Sequence, residues 1–153
     1  MSGVVITIAD PADSAVRVLI ENLDAYMIPL YPAESNHLLD IETLRQPEMR
    51  FFAGFMGDEV LGCGGCWLHG DYAEIKRVYV SPRARGLGLA KQLMQRIEAE
   101  ARACGRLIAR LETGIHQPEA LGLYRALGYV ERGAFGDYPA EDPNSVFMEK
   151  RLA

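Results

Sequence analysis

The sequence predicts an α/β fold of the α+β type, a mixed and mostly antiparallel sheet flanked by helices on both faces. Three observations carry this. Apolar runs of strand length recur along the chain. The pairs Gly57-Asp58 and Gly70-Asp71 separate consecutive runs too closely for a crossover helix, so those strands turn back on one another. Two later stretches, after Leu87 and after Pro118, instead space their apolar residues as one helix face.

Val4 to Ile8 is β-branched and reads as the first strand, and Asp10-Pro11 supplies an N-cap and a first-turn proline for a helix reaching Met27. Pro29 and Pro32 break it. A short second helix is predicted over Asn36 to Arg45, ended before Pro47. Arg50 to Met56, Glu59 to Leu68 and Tyr72 to Val80 form a meander of strands. Ala90, Leu93, Met94, Ile97, Ala101 and Cys104 share a helix face that Gly105 ends. Leu107 to Leu111 is a strand, Pro118 to Leu127 a helix stopped by Gly128, and Tyr129 to Ala134 with Val146 to Leu152 a closing hairpin. The order is β-α-α-β-β-β-α-β-α-β-β.

A chain of 153 residues, 49% hydrophobic, fits one domain, 1–153, with its own core. No apolar run reaches membrane-spanning length, and Met1 to Asp10 lacks the basic and apolar regions of a signal peptide, which predicts a cytoplasmic protein with no membrane partner. The net charge of −5 argues against a nucleic-acid partner. Its distribution is polar: every charged residue from Ile75 to Ile97 is basic, whereas Asp10 to Glu42 holds seven carboxylates against Arg17 alone. Cys63 and Cys66 sit in a glycine-rich strand without a second ligand pair and read as buried small side chains, so no metal is expected.

Val78 to Ala90 reads Val-Tyr-Val-Ser-Pro-Arg-Ala-Arg-Gly-Leu-Gly-Leu-Ala, a strand turning through a basic glycine loop into a helix. Gly86 and Gly88 let the backbone turn sharply and present N–H donors at a helix N-terminus, which favours phosphate. Arg83 and Arg85 add charge at the same mouth. No GxxxxGK[ST] occurs, and the preceding strand follows hairpin partners instead of opening a βαβ unit, which excludes the Walker and dinucleotide loops.

Arg83, Gly86 and Gly88, placed after the fourth strand, resemble the Gln/Arg-x-x-Gly-x-Gly/Ala signature of the GCN5-related N-acetyltransferase (GNAT) family. Ala120-Leu-Gly-Leu-Tyr124-Arg-Ala-Leu-Gly128-Tyr129 resembles that family's A-x-x-L-Y-x-x-x-G-F/Y segment. The resemblance covers almost the whole chain and implies a GNAT fold with acetyl-CoA as co-substrate. It also implies that Val78, Tyr79 and Val80 pair with the pantetheine arm as a strand would, a backbone N–H near Val80 facing the thioester oxygen. The loop backbone from Arg85 through Gly86, Leu87, Gly88, Leu89 and Ala90 to Lys91 would hold the pyrophosphate. Tyr124 matches the family tyrosine beside the sulfur, a proton donor to the leaving thiolate. Gln117 stands where the family often has an asparagine that bonds pantetheine.

For the base, Glu74 resembles a strand glutamate that some members use. Simple alternation sets Glu74, Lys76, Val78 and Val80 on one face, with proton loss to solvent as the rival and a Glu74 pair with Lys76 or Arg77 as the alternative. Family acceptors enter between the first two helices and the last hairpin, where Tyr31, Glu34, His37 and Tyr138 are the candidate contacts. The carboxylates there suggest a small cationic amine as acceptor. Peptide or protein acetylation and a non-catalytic CoA-sensing module are the alternatives. The final hairpin edge suggests a homodimer.

Overall fold

The computed structural model describes residues 3–32 and 41–152. Among these residues seven strands form one sheet: β1 (Val4–Ile8), β2 (Met49–Met56), β3 (Glu59–Leu68), β4 (Ala73–Val80), β5 (Ile108–Gly114), β6 (Val130–Arg132) and β7 (Ser145–Arg151). Their spatial order is β1-β2-β3-β4-β5-β7-β6. Every pairing is antiparallel except β4 with β5. The helices are α1 (Ser14–Met27), α2 (Ile41–Leu44), α3 (Leu89–Ala103) and α4 (Pro118–Ala126). The order of elements is the one the sequence predicts.

Strand alternation splits the core into two layers. Phe51, Ala53 and Cys63 face Val16, Leu19 and Ile20 of α1 and Leu44 of α2, while Phe52, Leu61, Ile75 and Leu111 face Leu89, Leu93, Met94 and Ile97 of α3. Tyr124 and Tyr129 pack on the α3 side, so the helices cover both faces. Cys63 and Cys66 are fully buried free thiols, and burial pushes each up to about 12. Among the described residues, no helix is long and apolar enough to cross a membrane.

Three expectations change. Helix α1 starts at Ser14 with Asp13 as its N-cap, because the Asp10 carboxylate instead accepts the Ala12 N–H at 2.9 Å in a local turn. Strand β5 runs on to Gly114, since β7 pairs with it over its whole length. The alternation on β4 also breaks. Arg77 takes a left-handed backbone conformation, φ 60°, and the β3–β4 register shifts between Cys63 and Gly65. Val78 and Val80 therefore pack on the α3 layer with Ile75, not on the face of Glu74 and Lys76. Of the predicted second helix, 36–40 lie outside the described residues, as do Glu34 and His37.

Candidate active site

Strands β4 and β5 pair only over Ala73–Ile75 and Ala109–Leu111, then part. Past Ile75 β4 keeps its β3 partner, with Gly62 opposite Val80, while among the described residues its other edge has no strand beside it. Unpaired backbone amides at such an edge seek an equivalent partner. The gap opens into a cleft of about 470 Å³ lined by Val78, Tyr79, Val80, the loop to α3, and Gln117, Ala120 and Tyr124 of α4 and its cap.

At the loop end, Ser81 caps a short 3-10 turn over Pro82–Ala84, and the chain then rises through Gly86 (φ 85°) and Gly88 (φ 74°) into α3. These left-handed angles are what glycine supplies and a side chain would strain by about 1–2 kcal/mol. Gly88 is the N-cap with no side chain to satisfy the first turn, and the first helical bond is Gln92 N–H to Gly88 O at 3.1 Å. The amides of Gly88, Leu89, Ala90 and Lys91 thus lack helical acceptors and form a nest for an anion. Arg85 and Lys91 line the same mouth. Arg83 and Leu87 do not: Arg83 turns out to Glu59 at 2.6 Å, and Leu87 is exposed.

A smaller recess of about 70 Å³ adjoins the cleft on the α1 side and shares Leu23, Val78, Gln117 and Tyr124 with it. Its polar wall is Lys76, Arg77, Glu112 and Thr113. Tyr124 is buried between the two spaces, and burial, reinforced by the Glu112 charge, pushes its phenol up to about 12. It stays a proton donor throughout the neutral range. Glu112 accepts the Ser145 hydroxyl at 2.7 Å. Glu112 lies beyond the predicted end of β5 at Leu111; its signal in the sequence is one further step of alternation into Glu112-Thr113-Gly114.

Glu74 lies outside both spaces, buried on the Lys76 face. Its carboxylate meets His69 Nε2 at 3.2 Å and Lys76 Nζ at 3.4 Å and accepts from the Tyr138 hydroxyl, which itself accepts from Lys76 at 2.7 Å. Burial, with Glu74 beside it, pushes the Tyr138 phenol well above its ordinary value. Tyr138 packs edge-on to Phe135 and Phe147. Tyr31 is likewise a buried support: it stacks on His116, and its hydroxyl bonds Gln117 Oε1 at 3.3 Å and the His116 N–H at 3.0 Å.

A profile of the acetyltransferase (GNAT) family matches residues 17–129, which takes in β4, the glycine loop, α3 and α4. The chain belongs to this family. A relative from Azospirillum brasilense, named IAA acetyltransferase, is 47% identical over 99% of this chain and 100% of its own. An uncharacterised N-acetyltransferase, YsnE, of Bacillus subtilis is 42% identical over 90% of this chain and 91% of its own. Among solved structures, a protein assigned as an acyl-CoA N-acyltransferase from Klebsiella pneumoniae superposes with TM-score 0.84, at 37% identity and full coverage of both chains. As a GNAT protein the chain is an acetyl-CoA-dependent N-acyltransferase, and the open β4 edge, the amide nest, and Arg85 and Lys91 fit that co-substrate.

Proposed function

We propose that the protein moves the acetyl group of acetyl-CoA directly to the amine of a small molecule, bound in the recess between Lys76 and Tyr124. The observation that carries this reading is that Tyr124 and Gln117 line both the long cleft and the polar recess, so the two reactants meet at a shared wall. Pantetheine lies along Val78 to Val80 with its amides on the open edge. The pyrophosphate sits on the amides of Gly88 to Lys91. With its oxygen held by Tyr31 and by the Gly114 N–H at 3.1 Å, Gln117 offers its NH2 group to a pantetheine carbonyl.

The amine nitrogen attacks the thioester carbon, the backbone N–H near Val80 supports the oxyanion, and the C–S bond breaks as Tyr124 donates to sulfur. The amine must lose a proton. Glu112 in the recess wall takes it, whereas Glu74 receives one only through Lys76 or Tyr138. The outer edge of β6 leaves a sheet end for a homodimer, which sedimentation velocity tests.

Thiol release from acetyl-CoA over a panel of small amines, peptides and water tests the whole reading. Release that requires a small amine supports it. Release with peptides alone, or tight CoA binding with no acetyl transfer to any acceptor, overturns it.

A further inference from the structure

Resting on that reading, the recess specifies a substrate class. The β4 bulge turns two consecutive residues, Lys76 and Arg77, toward the α1 side: Arg77 pairs with Asp24 of α1, and Lys76 shares its face with Glu74, opposite the core residue Ile75. Both line the recess. Arg77 is the one non-glycine residue among those described with positive φ, at 60°. Asparagine or glycine would take that backbone more readily, so an arginine there points to a use for its guanidinium.

That guanidinium is incompletely used. Asp24 takes one Nη, and Nε is buried without a hydrogen-bond partner among the described residues. Buried donors are ordinarily satisfied, and an orphan costs about 1–3 kcal/mol. Lys76 donates one of its three N–H bonds to Tyr138 and lies 3.4 Å from the Glu74 carboxylate. Across the recess stands the Glu112 carboxylate. One wall therefore has cationic donors in excess of their partners, and the other has an acceptor for an ammonium.

We infer that the acceptor is an amino acid or similar amino-carboxylate, its carboxylate held by Arg77 and Lys76 and its amine by Glu112. Because Asp24 and Glu74 already neutralise the two cations, selection comes from donor geometry and not from a positive field. A zwitterion suits such a wall better than a simple polyamine or a simple acid.

The test compares free amino acids with their carboxamides and with the corresponding decarboxylated amines, by thiol release with acetyl-CoA. The wild-type protein should prefer the acid at least tenfold in kcat/KM. Arg77→Asn, which tolerates the positive φ, and Lys76→Gln should each bring the acid-to-amide ratio toward one, and Lys76→Arg should restore it. Carboxamides or decarboxylated amines that match or beat the acids overturn the inference, as do variants that lower acid and amide equally. If no amine supports thiol release, the proposed function fails separately. Calorimetry of the same acids and amides against the CoA-saturated protein then decides this one: acids binding more tightly supports it, and no preference overturns it.

Discussion

Tyr31 and Gln117 meet across the molecule, the Tyr31 hydroxyl donating to Gln117 Oε1 at 3.3 Å, and Gly114 leaves the room for that contact. A Cβ at Gly114 would stand 1.7 Å from the Tyr31 hydroxyl oxygen. Gly114→Ala must therefore expel the ring, leaving Gln117 to lose a partner on the cleft wall. Thermal denaturation should show a loss of about 1–3 kcal/mol, and the KM for acetyl-CoA should rise. Tyr31→Phe, which keeps the packing, should cost about 1 kcal/mol.

Tyr124→Phe should lower kcat about a hundredfold while leaving acetyl-CoA affinity near wild type. Because the phenol sits at about 12, the wild-type rate should show no fall from Tyr124 ionisation until the pH nears that value. Steady-state kinetics across the alkaline range, with calorimetry for affinity, checks both. An unchanged kcat removes Tyr124 from the chemistry.

The two carboxylates are separable by substitution. Glu112→Gln should lower kcat/KM for the amine and reshape its pH profile. Glu74→Gln should act through Lys76 and Tyr138, and so should lower the melting temperature more than it reshapes that profile. Equal effects on the profile would place Glu74 in the proton path.

At the glycine loop, the signature arginine and its neighbours should behave differently. Arg83→Ala removes only an exposed pair with Glu59 and should change the acetyl-CoA KM little. Arg85→Ala and Lys91→Ala, which strip charge from the cleft mouth, should each raise that KM several-fold, the more so at low salt.

Acid should weaken the sheet at one identifiable point. The Arg110 hydrogen bond, with Arg132 beside it, holds the Glu149 carboxyl below its ordinary 4.5. A depressed carboxyl contributes stability above its unfolded value that is lost as pH falls through the folded one. Glu149→Gln should thus melt earlier than wild type at neutral pH, by up to about 1 kcal/mol. That gap should close below pH 4.5.

Much of this was written locally and could be read. Glycine-aspartate turns announced the meander, and Gly86, Gly88 and the spaced apolar residues after them announced the nest and its helix. What escaped depends on distant partners. Nothing around Arg77 marks a bulge, because the extra residue is defined only against β3. Glu112 was hidden by a strand end that β7 sets. The pairing of Arg83 with Glu59 likewise needs the β2–β3 turn to bring Glu59 over. Tyr31 and Tyr138, the candidate acceptor contacts, each hydrogen-bond another polar group, Gln117 or Glu74.

The bulge at Arg77 divides one strand into two trades. Before it, β4 presents ionic side chains whose identity matters; after it, β4 presents mainly main chain, to which almost any apolar sequence gives the same shape. On the proposed function, a lineage can therefore rewrite Lys76 and Arg77 and change what it accepts, while Val78 to Val80 stay untouched. Taking out a single residue at the bulge would fuse the two halves into one phase, and both specificities would go together.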